Sequence, residues 1–221
     1  MKFFYNVLAA TLATIVAGQA LAAVSADEAA KLGSSLTAVG AEIAANADGS
    51  IPAFAGGLKT APAGFKAGDS VRPDPFAGEK PLLVIDGKNA DQHKDQLTAV
   101  TLELAKRFPS FRVEVYPSHR TATMPQALLD NTLKNATGAK SLEGGNALEN
   151  VLPGVPFPIP QSGAEAMWNH LLRYQGVAYT TKYDSWNVDS AGVATLATSG
   201  VLFNSFPIFE DLSKVLDAKD T

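Results

Sequence analysis

After Gly176 the sequence adopts a two-residue period, and this feature constrains the fold more than any other. Residues 177–187 are rich in Tyr, Thr and Trp, residues 193–203 continue the alternation, and residues 189–192 between them have the composition of a turn. Two alternating segments joined by a short turn predict an antiparallel β-hairpin. A two-stranded hairpin is marginally stable alone and leaves unpaired amide and carbonyl groups at its edges. We therefore expect a fold whose antiparallel sheet extends beyond these two strands.

Helical patterns and two short strand patterns precede the hairpin. The predicted helices cover residues 25–32, 98–108, 125–135 and 163–174, and the predicted strands cover residues 82–85 and 111–116. Ser25 with Glu28, and Ser162 with Glu165, have the spacing of capping boxes that begin helices. On helix 98–108, Val100, Leu104 and Phe108 form one apolar stripe, and on helix 163–174 a face is formed by Ala166, Met167, His170, Leu171 and Tyr174. A weak helix or tail is expected after Glu210. Helices that precede an antiparallel sheet are typical of the α+β class.

The first 22 residues have the pattern of a secretory signal peptide. Lys2 supplies a positive charge, residues 3–17 are apolar, and residues 20–22 form a small-x-small cleavage site. The alternative is a membrane anchor, but the apolar run is shorter than the roughly 20 residues that span a bilayer. We therefore expect cleavage after Ala22 and export to the periplasm.

The remaining chain is expected to form one domain over residues 23–221, with a loop-rich wrap over residues 23–81 and the helices and hairpin over residues 82–221. Residues 40–81 are rich in Gly, Pro and Ala with isolated apolar side chains, which is typical of extended coil packed on another part of the protein. Residues 153–160 read PGVPFPIP, and alternating prolines exclude both a helix and a central strand. This segment is predicted to be a rigid, extended strap.

Composition excludes several classes of function. Eighteen basic residues against 22 acidic ones give a net charge of −4, so no basic excess supports nucleic-acid binding. The absence of Cys excludes disulfides, thiolate zinc sites and Cys nucleophiles. The three histidines, His93, His119 and His170, lack the short spacing of a metal-ligand pair, and the sequence contains no Gly-x-Ser-x-Gly nucleophile motif. We therefore expect neither a metal or other cofactor nor a catalytic residue.

Two basic pairs are candidates for binding a headgroup or another anionic group. His119 and Arg120 could together bind a carboxylate or headgroup, and the alternative is a loop anchor that fixes a strand to the following helix. His170 and Arg173, together with Asn169, lie on the predicted helix 163–174 and could bind an anionic group near a cavity. The alternative for His170 is a core residue whose hydrogen bonds are satisfied within the protein.

Aromatic residues of the hairpin are candidates for an apolar site. Tyr179 and Trp186, together with Tyr183, Val193 and Leu196, could line a groove for a lipid or sterol-like molecule. The alternative is the ordinary apolar face of any half-buried sheet.

Several segments resemble one bacterial family. They are ADEAAKLG and NADGSIPAFAGGL near the N-terminus, YPSHRTA at 116–122, EGGNALENVLPGVPFPIP at 143–160 and WNHLLRYQG at 168–176. Together they resemble the exported proteins of domain-of-unknown-function family 1329, in the same order and up to about Phe209. The resemblance implies a fold similar to that of the periplasmic carrier LolA. In that fold, a curved, half-open antiparallel sheet holds acyl chains on its concave face, and here an N-terminal wrap and helices would pack on its first strands.

The resemblance also carries implications for completeness and function. Family members are considerably longer, which implies that most of the sheet lies beyond Phe209 and that this sheet is incomplete, through truncation or because a partner chain completes it. The implied role is non-catalytic binding of a hydrophobic, lipid-like ligand in envelope transport or lipoprotein sorting. A resistance-nodulation-division-type exporter or an outer-membrane protein is the implied partner, with association at the outer membrane. The alternative is a structural or interaction module that docks onto an envelope exporter complex.

Overall fold

The structure is a computed structural model that describes residues 24–66, 68 and 71–214, without the side chains of residues 211–214. The predicted signal peptide and the end of the predicted C-terminal tail lie outside the described residues. The chain divides into two compact units: unit 1 contains the residues up to Ile43 and from Met124 onward, and unit 2 contains Ala44–Thr123. No helix among the described residues has the length and apolar composition needed to cross a membrane.

Helices alternate with short antiparallel sheets along the chain, which confirms the predicted α+β class. In chain order the elements are α1 (Ala26–Ala29), β1 (Leu83–Asp86), α2 (Ala99–Arg107), β2 (Arg112–Val115), α3 (Gln126–Gly138), β3 (Lys140–Leu142), β4 (Ala147–Glu149), α4 (Gly163–Leu171), β5 (Ala178–Val188) and β6 (Ala194–Ser205). Short 3-10 helices cover Ala90–Gln96, Glu143–Gly145 and Pro207–Lys214. Within the described residues, β1 pairs with β2, β3 with β4 and β5 with β6, each in an open two-stranded sheet.

Unit 2 is built on a small core between the β1–β2 sheet and α2. Ile85, Ala90 and Ala105 are its buried members. Around them pack Leu83, Leu97, Leu102, Phe111 and Val113. Thr98 caps α2, since its hydroxyl accepts a hydrogen bond from the backbone of Thr101 at 3.1 Å. The helix therefore begins where the sequence indicates.

The apolar stripe of α2 points away from this core. Val100 is 70% exposed and Phe108 is 52% exposed, whereas Ala105 is 3% exposed. The small Ala105 side chain allows the helix to lie close to β1, and the larger stripe is left on the opposite side. Helical spacing identified this stripe but did not identify the side that packs.

In unit 1 the proline strap contains neither helix nor strand and bends at several positions, and α3 holds its first half. The Asn135 side chain donates to the carbonyls of Leu152 (2.9 Å) and Val155 (3.1 Å) and accepts from the Leu152 amide (2.8 Å). The Thr132 hydroxyl accepts from the Val155 amide at 2.9 Å. Both polar side chains are buried, with exposures of 1% for Asn135 and 0% for Thr132. They replace the ladder partners that a proline-rich segment lacks.

The second half of the strap lies against α4 and the loop at Gly40. The Asn169 side chain donates to the Phe157 carbonyl (2.7 Å) and accepts from the Phe157 amide (2.9 Å). A Cβ atom at Gly40 would lie 1.7 Å from the Pro158 carbonyl oxygen, and the φ of Gly40 is +87°. Only glycine fits this contact, because both the space and the backbone conformation exclude a side chain.

Helix α4 begins at the predicted cap but buries a different face from the one expected. The Ser162 hydroxyl accepts from the Glu165 amide (3.2 Å), while the Glu165 carboxylate accepts from the Gln161 amide instead of closing a capping box on Ser162. Met167 and Leu171 are each more than half exposed, and His170 is also exposed. The alternative interpretation of His170 as a core residue is therefore wrong, because the face of α4 that packs carries Asn169, which binds the strap, and the buried Glu165.

The long hairpin is present as predicted. Its register runs from Ala178 opposite Ser205 to Val188 opposite Ala194, with Ala197 as an extra residue in β6. The Asp189 carboxylate closes the turn by accepting from two backbone amides. Below its base lies the unit 1 core, where Leu128 and Phe209 are buried among Met124, Tyr174, Val177, Phe206 and Ile208. We call this hairpin the ribbon.

Candidate ligand-binding surface

One face of the ribbon is rich in exposed apolar side chains. Side chains alternate between the two faces of a strand, and strand partners share a face. β5 has no bulge, so Trp186 and Val188 share a face with both charged residues of that strand, Lys182 and Asp184. Across the register they share it with residues of β6. The large apolar members of this face are Trp186 (55% exposed), Val188 (66%), Leu196 (47%), Val201 (65%) and Phe203 (68%). We call them the apolar ribbon face.

The opposite face of the ribbon is more polar. Tyr179 accepts a hydrogen bond from the Asn204 side chain (2.7 Å), and its ring centroid lies 5.9 Å from that of Phe206. The ring of Tyr183 covers Gly200, where an added Cβ atom would lie 3.1 Å from the Tyr183 hydroxyl. Tyr179 and Tyr183 therefore do not share a face with Trp186. The sequence contained this signal, because an odd spacing along a strand places two residues on opposite faces.

The middle of the ribbon forms an open depression of about 400 Å³. Its lining residues are Lys182, Tyr183, Asp184, Ser199, Gly200 and Val201. The volume falls within the range of about 300–1,000 Å³ that is usual for small-molecule sites.

The two basic candidates of unit 1, His170 and Arg173, lie together at the C-terminal end of α4. Both His170 and Arg173 are exposed, and the Arg173 guanidinium donates to the His170 carbonyl at 2.9 Å. A cation that binds a carbonyl in the last turn of a helix stabilises that terminus. Asn169, which the sequence placed beside them as a potential anion ligand, instead holds the strap.

In unit 2, His119 and Arg120 contact the extended coil. The His119 ring stacks on Phe76 with centroids 3.7 Å apart, and its Nε2 atom lies 2.8 Å from a Glu79 carboxylate oxygen. The Arg120 guanidinium lies 5.3 Å from the Phe54 ring centroid and donates to the Pro52 carbonyl at 3.4 Å. This is the arrangement of a loop anchor, and the anchored segment is the wrap rather than the following helix. Their role in ligand binding remains a prediction.

Backbone contacts fix the wrap at the same place. The Leu58 amide donates to the Thr121 carbonyl at 2.9 Å. Gly57 has a φ of +77°, and a Cβ atom there would lie 2.7 Å from Thr123 Cβ. The coil at Leu58 is therefore held on the segment that precedes Met124 by its backbone, whereas the apolar side chains of Ile51, Leu58 and Phe65 are exposed.

The sequence reading did not identify a polar trio on β2. The Glu114 carboxylate accepts hydrogen bonds from Arg112 Nε (2.6 Å) and from the Tyr116 hydroxyl (2.9 Å). These bonds lower the pKa of Glu114, and the carboxylate in turn raises the pKa of Arg112 and of Tyr116. The i, i+2, i+4 spacing on a strand was the available signal. Because the three side chains satisfy one another, we interpret them as structural.

No group of three or more His, Asp or Glu side chains in the described part of the chain is placed to hold a metal ion.

Comparison with known proteins identifies the family. The sequence profile of a family described as "Protein of unknown function (DUF1329)" matches residues 84–220. The chain belongs to the DUF1329 family. The match includes α3, the strap, α4 and the ribbon, and it confirms the family resemblance carried by the motifs.

A DUF1329 chain of this length is shorter than its curated relative. An uncharacterized protein of Pseudomonas aeruginosa strain PAO1 is 52% identical over 164 residues, which cover 74% of this chain and 36% of the relative. The chain thus spans little more than a third of that relative's length. No solved structure matches this DUF1329 chain.

Proposed function

We propose that the chain is a non-catalytic binding protein of the cell envelope, and that the apolar ribbon face forms part of a site for a hydrophobic, lipid-like ligand. The observation that carries this proposal is the exposure of five large apolar side chains on one face of one sheet. Trp186 and Leu196 are register partners beside Val188, and exposed apolar patches of this kind are characteristic of interaction sites. Covering it with a ligand would contribute about 25 cal/mol for each Å² of apolar surface removed from water.

The proposal includes a location and a role. The signal-peptide pattern of the first 22 residues supports export to the periplasm, with cleavage after Ala22. There the protein would hold its ligand while it passes between membranes, in a lipoprotein-sorting-like role at or near the outer membrane and with a LolA-like sheet. Membership of DUF1329 is compatible with this role, and the antiparallel ribbon supplies the kind of surface it needs.

The candidate residues receive separate roles in this proposal. Trp186 would contact the apolar part of the ligand, and Tyr179 would face the more polar side of the ribbon. His170 and Arg173 are exposed in the same unit and would contact an anionic headgroup. His119 and Arg120 would act by holding the wrap.

Tryptophan quenching tests the proposal directly. The chain has two tryptophans, Trp168 and Trp186. Trp168 is partly buried and donates to the Gly145 carbonyl, whereas Trp186 lies on the apolar ribbon face. In the Trp168→Phe variant, a dibrominated fatty acid should quench the remaining fluorescence, while the matched Trp186→Phe variant should be quenched far less. Stearic acid without bromine is the control. Absence of quenching in the Trp168→Phe variant contradicts a ligand site on this face.

A second function is favoured by one observation. Within the described residues, β5 and β6 each pair on one side only, so backbone groups on the other side can bind an extended segment of a partner. This supports an interaction module that docks onto an envelope exporter or an outer-membrane protein. Native mass spectrometry of protein purified from the periplasm discriminates the two functions: a discrete lipid mass supports the carrier, and a folded, ligand-free protein supports the module.

A further inference from the structure

Among the residues that the structure describes, neither outer edge of the ribbon has a strand partner, and the two edges differ in charge. β6 contains no charged residue and no proline over Ala194–Ser205, whereas β5 carries Lys182 and Asp184. Charged side chains and prolines are the usual means by which edge strands are kept from pairing with other chains. β6 therefore has the edge on which another strand can add.

The regular part of this edge has a defined length. The extra residue Ala197 interrupts the ladder, and from Thr198 to Ser205 the register with β5 is continuous. Eight regular residues exceed the usual strand length of about five to six residues. This segment is long enough to support a complete antiparallel pairing.

We propose that two copies of this chain associate through β6, pairing antiparallel about a two-fold axis perpendicular to the sheet. The uncharged segment is complementary to itself, and this is what an isologous interface requires. Such an axis keeps the apolar ribbon faces of both copies on the same side of the sheet. Residues directly opposite one another must then both have even numbers or both have odd numbers.

Side-chain pairing selects one register among those allowed. With Leu202 on the axis and opposite its own copy, Val201 lies opposite Phe203 on each side of the axis, and Ser199 lies opposite Ser205. Shifting the axis to Val201 would instead place Phe203 opposite Ser199. Pairs of an aromatic with a β-branched residue stabilise adjacent strands, so the axis at Leu202 is preferred.

The association extends the sheet and pairs the outer edge of β6. Two strands become four, in the order β5–β6–β6–β5, and the two apolar ribbon faces become one surface. Three or more strands with an apolar face are what an independently stable sheet needs. The inference depends on the edge of β6 and stands whether or not that surface binds a lipid.

The oligomeric state tests the proposal with a matched pair of variants. By light scattering after size exclusion, the unaltered chain at tens of micromolar should have twice its monomer mass. Leu202→Lys places two ammonium groups opposite each other at the axis, where like charges destabilise pairing, so this variant should be monomeric. Thr181→Lys, at the register partner of Leu202 on β5, should remain a dimer. A mixture of Leu202→Lys and Leu202→Glu chains should recover the dimer mass.

Disulfide cross-linking of single-cysteine variants tests the dimer independently if a lysine variant fails to fold. The chain has no cysteine, so a single introduced thiol reports one position. Opposite residues in antiparallel strands have Cα atoms about 4.5–5.5 Å apart, within the range of a disulfide. Oxidised Leu202→Cys should therefore give a covalent dimer and Thr181→Cys should not. A monomeric unaltered chain, or equal cross-linking of both variants, overturns the proposal.

Discussion

At the scale of single residues, side-chain amides connect the strap to the helices beside it. Asn135 on α3 and Asn169 on α4 each bind strap backbone through both the donor and the acceptor of one side chain. Sequence reasoning placed the helices correctly but gave Asn169 a possible ligand role. The pairing could not be read from the sequence, because it depends on which faces of α3 and α4 meet the strap.

Asn135→Ala should destabilise the protein by about 3 kcal/mol, since it leaves backbone groups of Leu152 and Val155 without their partners and such buried losses cost about 1–3 kcal/mol each. Urea unfolding followed by circular dichroism measures the change. Lys134→Ala, at an exposed neighbouring position of α3, is the control and should change stability little. Equal stability of the two variants would contradict a clamping role for Asn135.

Tyr116→Phe should raise the pKa of Glu114, because the tyrosine hydroxyl is one of two donors that lower it. A lowered carboxyl pKa adds stability above the unfolded pKa of about 4.3, and that stability is lost as pH falls through the folded pKa. The variant should therefore show a smaller loss of stability on acidification. NMR titration of the Glu114 carboxyl carbon measures the shift.

The control for this titration is Ser110→Ala, which removes a hydroxyl from the turn before β2. It should leave the Glu114 titration unchanged. A Glu114 pKa that is the same in the unaltered protein and in Tyr116→Phe contradicts the assigned hydrogen bond.

At the scale of elements, local signals predicted more than packing did. Ser25 and Ser162 cap their helices as predicted, and the ribbon turn forms at Asp189, because these signals act within a few residues. The outward faces of α2 and α4 were not predicted. Helical spacing gives the position of an apolar face, whereas its burial depends on contacts made by residues far along the chain.

Gly40→Ala should be strongly destabilising, by about 3 kcal/mol or more, through a positive φ and a backbone collision with Pro158. Gly33→Ala is the control, since Gly33 has a similar φ of +79° but nothing within 4 Å of its added Cβ atom. The difference between the two variants therefore measures the cost of the collision with Pro158. We expect Gly33→Ala to cost only about 1–2 kcal/mol. Thermal unfolding of both variants provides the comparison, and equal losses would show that the strap does not constrain this loop.

At the scale of the whole molecule, large apolar side chains are exposed on three described surfaces. They are the apolar ribbon face, the α2 stripe with Val100 and Phe108, and the α4 face with Met167 and Leu171. The family and the α+β class could be predicted from sequence motifs. The exposure of these surfaces could not, because periodicity shows which residues share a face and not whether anything covers it.

The dye ANS should fluoresce with the native protein, because these surfaces offer it apolar binding sites. Trp186→Ser with Phe203→Ser should remove one part of the signal, and Val100→Ser with Phe108→Ser should remove another. Measurement in native buffer, with circular dichroism confirming the fold, gives the two contributions. A signal that neither pair of substitutions reduces would place the dye elsewhere.

The charges on β5 affect whether further chains can add to a dimer formed through β6. When β6 is occupied by its own copy, each outer edge presents Lys182 and Asp184. A third chain would have to bring its strand against these charged groups, which opposes further addition. Assembly then stops at the dimer, because the β6 edges of both copies are paired with each other about the two-fold axis. The same ribbon with neutral residues at positions 182 and 184 would have an open end at each side, and open ends are how filaments propagate.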